Sequence, residues 1–252
     1  RHLLVSYLRT SNRGDARHSW AILALLVRFI REYWPQTRIV FRGDSHFSKP
    51  RLLAWCDRNQ VDYIVGMARN QRLEALAAPA MDKVRTYYEA HGHKLASTFR
   101  FRYKARSWHK PRWVVARLEY GPQGPNPRFV ISSRYDDGFK LYYEQYCARG
   151  DMENRIKDQQ LDLFAGRTSS THWWTNQWRL ILSGFAYTLF ERLRVHLKNT
   201  PFERMSAGTL RLKLIKVGAV IIRNTRRIRV LMSDSYPHKN DLSALVQRLV
   251  PQ

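Results

Sequence analysis

An α/β fold interrupted by a β-rich insertion is predicted by three observations. Short apolar strands alternate with helix-length runs from His2 to His91. That rhythm gives way near Ser97 to alternating aromatic and basic residues, and long helical sequence returns at Lys140. Alternation of this kind is the signature of helices packed on a sheet. A chain of 252 residues with 44% hydrophobic content is long and apolar enough to bury a core.

His2–Arg9 reads as a short strand, followed by a polar turn over Thr10–Asp15 in which Asp15 caps the next element. Ala16–Trp34 is nearly continuous in apolar residues and predicts a helix stopped by Pro35. Arg38–Phe41 is a brief buried-strand pattern ended by Gly43, Asp44 and Ser45. A second helix is expected over Pro50–Asn59, a strand over Val61–Met67, and a helix over Arg72–His91 that Pro79 should break or kink. Phe99–Lys104 alternates aromatic and basic residues, which on a strand puts three rings on one face and Arg100, Arg102 and Lys104 on the other. Trp113–Tyr120 and Arg128–Ser133 read as further strands around a Gly/Pro-rich turn, Gly121–Pro127. Helix-forming sequence covers Lys140–Phe164 and His172–Leu197, and the basic stretch Gly208–Ser233 mixes strand-like and short helical segments.

Charge narrows the function. The chain carries 44 Lys and Arg against 20 Asp and Glu, a formal +24. Such an excess repels itself unless a polyanion shares the surface, and nucleic acid is the commonest such partner. Membrane insertion is not expected, because the most apolar stretches, Ala21–Val27 and Leu180–Phe190, are too short to span a bilayer. No signal peptide is visible; the opening Arg1 and His2, with no initiating Met, read as an internal start. Cys56 and Cys147 alone cannot build a disulfide framework, which fits a reducing, cytoplasmic setting.

Two constellations carry chemistry. Asp44 follows a strand at a glycine turn, where open α/β sheets place ligands; it equally suits a turn Asp bonded to its own backbone. On one continuous helix, Tyr146, Arg149, Glu153, Lys157 and Gln160 share a stripe at steps of three and four. An acid among cations and a phenol serves a phosphodiester, the acid holding a metal and its neighbours the phosphate oxygens. A solvated face of Arg–Glu–Lys pairs is the alternative. A helix starting at a capping Asp151 would take Tyr146 and Arg149 off the stripe.

The segments Phe41–Ser45 (FRGDS) and Tyr146–Lys157 (YCARGDMENRIK) resemble those of bacterial insertion-sequence transposases with a DDE domain of group 1. Asn126–Val130, Gln159–Phe164 and Gly208–Leu214 do so as well, in the same order over nearly the whole chain. The resemblance implies a ribonuclease-H-like core and an Asp, Asp, Glu triad binding two Mg2+ or Mn2+ ions. Asp44 would be the second Asp of that triad and Glu153 the Glu. Tyr146 and Arg149 match a Tyr-x2-Arg-x3-Glu-x6-Lys pattern whose polar members hold DNA phosphates. Gln160 stands where that pattern has its Lys, and Lys157 is a substitute cation.

The expected organisation is a discontinuous core over residues 1–96 and 135–200, a β-rich insertion over 97–134, and a basic C-terminal segment over 201–252. The first catalytic Asp of such a fold would precede residue 1, so the chain is expected to be an inactive fragment. Its implied partners are duplex DNA, as terminal inverted repeats and target, and a second copy in a synaptic complex at the bacterial nucleoid. The function expected is metal-dependent phosphodiester hydrolysis and strand transfer. A non-enzymatic DNA-binding remnant is the alternative, and no RNA-binding module is recognisable.

Overall fold

The computed structural model describes residues 2–10, 16 and 18–249. The expected turn and Asp15 cap fall largely on residues outside these. The chain forms two compact units, Thr10–Asp151 and Arg1–Arg9 with Met152–Gln252, each treated by itself below.

The first unit is a mixed α/β body. It contains helix α1 (Ser19–Tyr33), β1 (Val40–Gly43), α2 (Pro50–Arg58), β2 (Asp62–Met67) and α3 (Gln71–His91). Strands β3 (Ser97–Tyr103), β4 (Arg112–Leu118), β5 (Tyr120–Gly121), β6 (Gly124–Pro125) and β7 (Arg128–Ser132) follow. Five strands form one sheet in the order β1-β2-β7-β4-β3. β1 and β2 are parallel, with Gly43 opposite Val65, and every other pairing in this sheet is antiparallel.

The two-residue period of the strands sorts the core into two layers. Tyr63, Val65, Val114, Ala116, Phe129 and Ile131 join a cluster with Leu52, Leu53 and Cys56 of α2 and Leu73, Ala77 and Val84 of α3. Their neighbours in sequence, Ile64, Val115 and Val130, join Leu141 and Tyr142 in a separate cluster. The aromatic alternation of β3 follows the same rule: of the three rings expected on one face, Phe101 and Tyr103 belong to the first cluster, while Phe99 is exposed.

Helix ends obey local chemistry. Pro50 opens α2, where its missing N–H costs nothing. Asn70 caps α3 by accepting the Leu73 N–H at 3.0 Å. The same helix ends at Gly92, whose φ of +70° suits a residue without a Cβ. Pro79 does not end it: the helix runs on to His91. Ala75, whose carbonyl loses the bond Pro79 cannot donate, and Pro79 itself are exposed, so water can take that carbonyl.

The expectation of one uniform α-helix after Lys140 fails. Lys140–Tyr146 is wound as a π-helix, Cys147–Arg149 as a 3-10 turn, α4 (Gly150–Lys157) as an α-helix and Asp158–Asp162 as π again. These windings have different numbers of residues per turn, so the 3.6-residue arithmetic behind a single stripe does not hold. The boundary between the two units falls inside α4, after Asp151.

In the second unit, His2–Arg9 is not a strand. It is pinned as an irregular segment by side-chain amides that replace a sheet partner. Leu8 N–H donates to Gln177 Oε1 at 2.8 Å, and Gln177 Nε2 donates to the Ser6 carbonyl at 3.2 Å. Gln177 lies on the long helix α5 (Trp173–His196). A C-terminal cluster packs Leu197, Phe202, Leu210, Leu214, Leu242 and Leu245 from the end of α5, the single turn α6 (Ala207–Leu210), the π-turn after it and α7 (Lys239–Leu249). Between these helices stands an isolated ribbon, β8 (Ala219–Arg223) against β9 (Ile228–Met232). Among the described residues, no helix is long and apolar enough to cross a membrane.

Candidate active site

Asp44 sits just past the carboxyl end of β1, beside the parallel end of β2. Its extended backbone (φ −78°, ψ −172°) turns the chain into a 3-10 turn, Ser45–Phe47. Oδ1 caps that turn by accepting the His46 N–H at 2.9 Å, and His46 Nδ1 lies 3.3 Å from the same oxygen. The turn reading of Asp44 is therefore met, yet the cap uses one carboxylate oxygen and the side chain stays 41% exposed.

Gly66, in the interior of β2, draws a second group to the same place. A Cβ there would stand 2.5 Å from Tyr146 Oη, 3.0 Å from the Ser45 nitrogen and 3.2 Å from the Asp44 carbonyl carbon. The phenol thus rests against a bare backbone beside Asp44, a close approach that only glycine permits. The ring is partly sunk against Ile64, Val115 and Val130. Burial raises the phenol above its ordinary pKa, and the charge of Asp44 adds to this. The guanidinium of Arg149, whose Cζ lies 5.6 Å from the ring centroid, acts the other way. Tyr146 is therefore a neutral O–H donor at neutral pH. The structure brings together Asp44, Tyr146 and Arg149. Arg42 of β1 ties the approach of this segment by donating to the Gln145 carbonyl at 2.8 Å.

Glu153, Lys157 and Gln160 belong to the second unit, and all three are exposed. Their helical segments are anchored through the buried Asp158 and Gln159. Asp158 Oδ2 receives Arg194 Nη2 at 2.6 Å, while Oδ1 receives the Ala207 N–H at 3.0 Å. The Gln159 carbonyl accepts from Ser183 Oγ at 3.5 Å. Anchors on buried positions leave the positions of Glu153, Lys157 and Gln160 open to solvent.

The predicted cation face of β3 is smaller than expected. Arg100 is half-buried, donates to the Asp136 carbonyl and stacks with its Cζ 3.6 Å from the Tyr135 ring centroid. Arg102 is exposed, 5.0 Å from the Trp113 ring centroid. Lys104 lies past the end of β3, at Tyr103, so strand alternation does not place it with the other two.

Carboxylate oxygens are the donors hard divalent cations prefer, so Asp44 and Glu153 suit Mg2+ or Mn2+ by donor type. Among the described residues no group of three or more His, Cys, Asp or Glu side chains forms a ready ligand cluster. Gly66, His46 and Arg42 were not anticipated. Only Gly66 left a signal, as a glycine inside a strand pattern, which marks a bulge or a close backbone approach.

None of the curated proteins compared with the chain matches it. Among protein families, residues 1–252 match the one described as transposase DDE domain group 1. With the match running the full length of the sequence, the chain belongs to the transposase DDE domain group 1 family.

Proposed function

We propose that this chain belongs to the machinery that cuts and joins DNA, in which a phosphodiester at a transposon end is hydrolysed and the freed 3′-hydroxyl is transferred to target DNA. The observation that carries the reading is the seat at Gly66, which sets the Tyr146 hydroxyl beside Asp44, with the Arg149 guanidinium 5.6 Å from the same ring. A carboxylate, a neutral O–H donor and a guanidinium at one strand end match what a phosphodiester needs. In this reading the core is ribonuclease-H-like, and the substrate is duplex DNA carrying terminal inverted repeats.

Asp44 and Glu153 are the proposed metal ligands, each contributing carboxylate oxygens. Divalent ions bound by such carboxylates would activate the attacking oxygen and stabilise the leaving one. Tyr146 donates a hydrogen bond to a phosphate oxygen, keeping its own proton because burial raises its pKa. Arg149 offers charge-assisted bonds to the same phosphate, and Lys157 and Gln160 are proposed as contacts to the DNA backbone. Arg102 and Lys104 would lie along the DNA, with Arg100 held more rigidly by Tyr135.

The test is metal-dependent nicking of DNA carrying the element's own ends. Asp44→Asn and Glu153→Gln should each lower the rate by at least about a thousandfold, since removing a group that acts as part of a unit removes most of its effect. Asp44→Cys should retain more activity with Mn2+ than with Mg2+, because sulfur is a poor ligand for the harder ion. Undiminished Mg2+-dependent nicking by Asp44→Asn would exclude Asp44 as a ligand.

A further inference from the structure

The ribbon β8–β9 is exposed at every one of its ten strand positions, 219–223 and 228–232. An isolated two-stranded ribbon is marginal in water, and this one shows apolar side chains on both faces. Ile221 pairs with Val230 on one face, 69% and 57% exposed, and Val220 with Leu231 on the other, 63% and 49% exposed. Exposed apolar surface of this kind marks a binding site.

Charge identifies the occupant. The apolar pairs occupy the stem, while Arg223, Arg226, Arg227 and Arg229 crowd the tip. No Asp or Glu occurs between Arg204 and Ser233. The tip is shaped by Asn224, whose Oδ1 accepts the N–H groups of Arg226 at 3.1 Å and Arg227 at 2.7 Å. A second copy laid on this ribbon tip to tip would set its four tip arginines against four others, and in any register it would bring no Asp or Glu of residues 205–232 to offset them. A polyanion would neutralise them.

We propose that the β8–β9 ribbon inserts into the major groove of a DNA duplex, a site additional to the one at Asp44. This rests on the DNA-processing reading above. A two-stranded ribbon is the β element that the roughly 12 Å wide major groove of B-DNA admits. The tip arginines reach the phosphate walls, and Ile221, Val230 and Ile228 meet base edges, where thymine methyl groups offer apolar contact.

Full-length protein is titrated with a fluorescent DNA duplex by anisotropy at several salt concentrations. Each phosphate contact contributes roughly 0.9 to the slope of log affinity against log salt. Changing Arg223, Arg226, Arg227 and Arg229 together to Ser should lower that slope by about 2 to 4, and Arg226→Ser with Arg227→Ser by about half as much. Wild-type protein should protect guanine N7, which faces the major groove, from dimethyl sulfate, and the fourfold variant should not. Circular dichroism checks that the variants remain folded. A steep wild-type slope that the variants leave unchanged would overturn the ribbon proposal and leave the reading at Asp44 standing. A shallow wild-type slope would remove both. A dimer in sedimentation that Ile221→Asp dissociates, with the slope unaltered, would assign the ribbon to a second copy and overturn the proposal.

Discussion

Gly66→Ala puts the proposed site to a local steric test. The added methyl would lie 2.5 Å from Tyr146 Oη, about 1 Å inside an ordinary contact of roughly 3.5 Å. It would also press on the Ser45 nitrogen at 3.0 Å, part of the rigid turn that Asp44 caps. The phenol must swing out or the strand end must shift. Overpacking of this order costs about 1–3 kcal/mol of stability. A displacement near 1 Å of a phosphate-orienting group lowers catalysis about a hundredfold. Tyr146→Phe removes the nearest clashing atom, so adding Gly66→Ala in that background should cost distinctly less stability, by about 1 kcal/mol. The rescue is incomplete because the Ser45 contact persists. Urea denaturation gives the stabilities, and nicking of end-bearing DNA gives the rates. Equal costs of Gly66→Ala with and without the Tyr146 hydroxyl would refute the argument that this oxygen occupies the glycine's vacant Cβ space.

Two further outcomes follow from buried groups in the first unit. Arg112 is 3% exposed, donates to Tyr63 Oη at 2.8 Å and pairs with Asp57 at 2.6 Å. Arg112→Met should destabilise by about 3 kcal/mol in urea denaturation, at the low end for a broken buried pair because Lys110 remains 3.1 Å from Asp57; a loss under about 1 kcal/mol would show that the pair is dispensable. Cys56 is pushed by burial from 9.0 up to about 12, with the charge of Asp57 adding to the effect. A raised folded pKa gives stability that is complete below pH 9 and lost as pH climbs toward 12. Relative to Cys56→Ala, the wild type should therefore lose stability across that window, and parallel curves would contradict it.

Much of the first unit was legible because periodicity is a local property. The strand at Val61–Met67 and the helix at Pro50–Asn59 fall within a residue of those observed, since each pattern needs only its own residues. What sequence could not show was pairing: that β7 slots between β2 and β4 depends on contacts far along the chain. His2–Arg9 misled because an apolar run suits any extended segment, and the side-chain amide of Gln177 rather than a sheet fixed its course. The π-winding of Lys140–Tyr146 carries no periodic mark that separates it from an α-helix over so few residues. Asp44 was placed correctly at a strand end by its glycine turn. Its neighbours Tyr146 and Arg149 needed the missing side chain of Gly66 to be seen as a seat.

The insertion of β7 between β2 and β4 also sets an order of events during synthesis. β2 is made well before β7, so its edge away from β1 stays open until Phe129–Ser132 has been made and can pair with Ile64–Met67. Until then the nascent chain displays a row of unsatisfied backbone groups on an apolar strand, the kind of edge that recruits chaperones or a neighbouring chain. Closing that gap is the slow, long-range step such topologies impose. Substitutions in β7 should consequently lower the yield of soluble protein more than their effect on the finished fold would suggest.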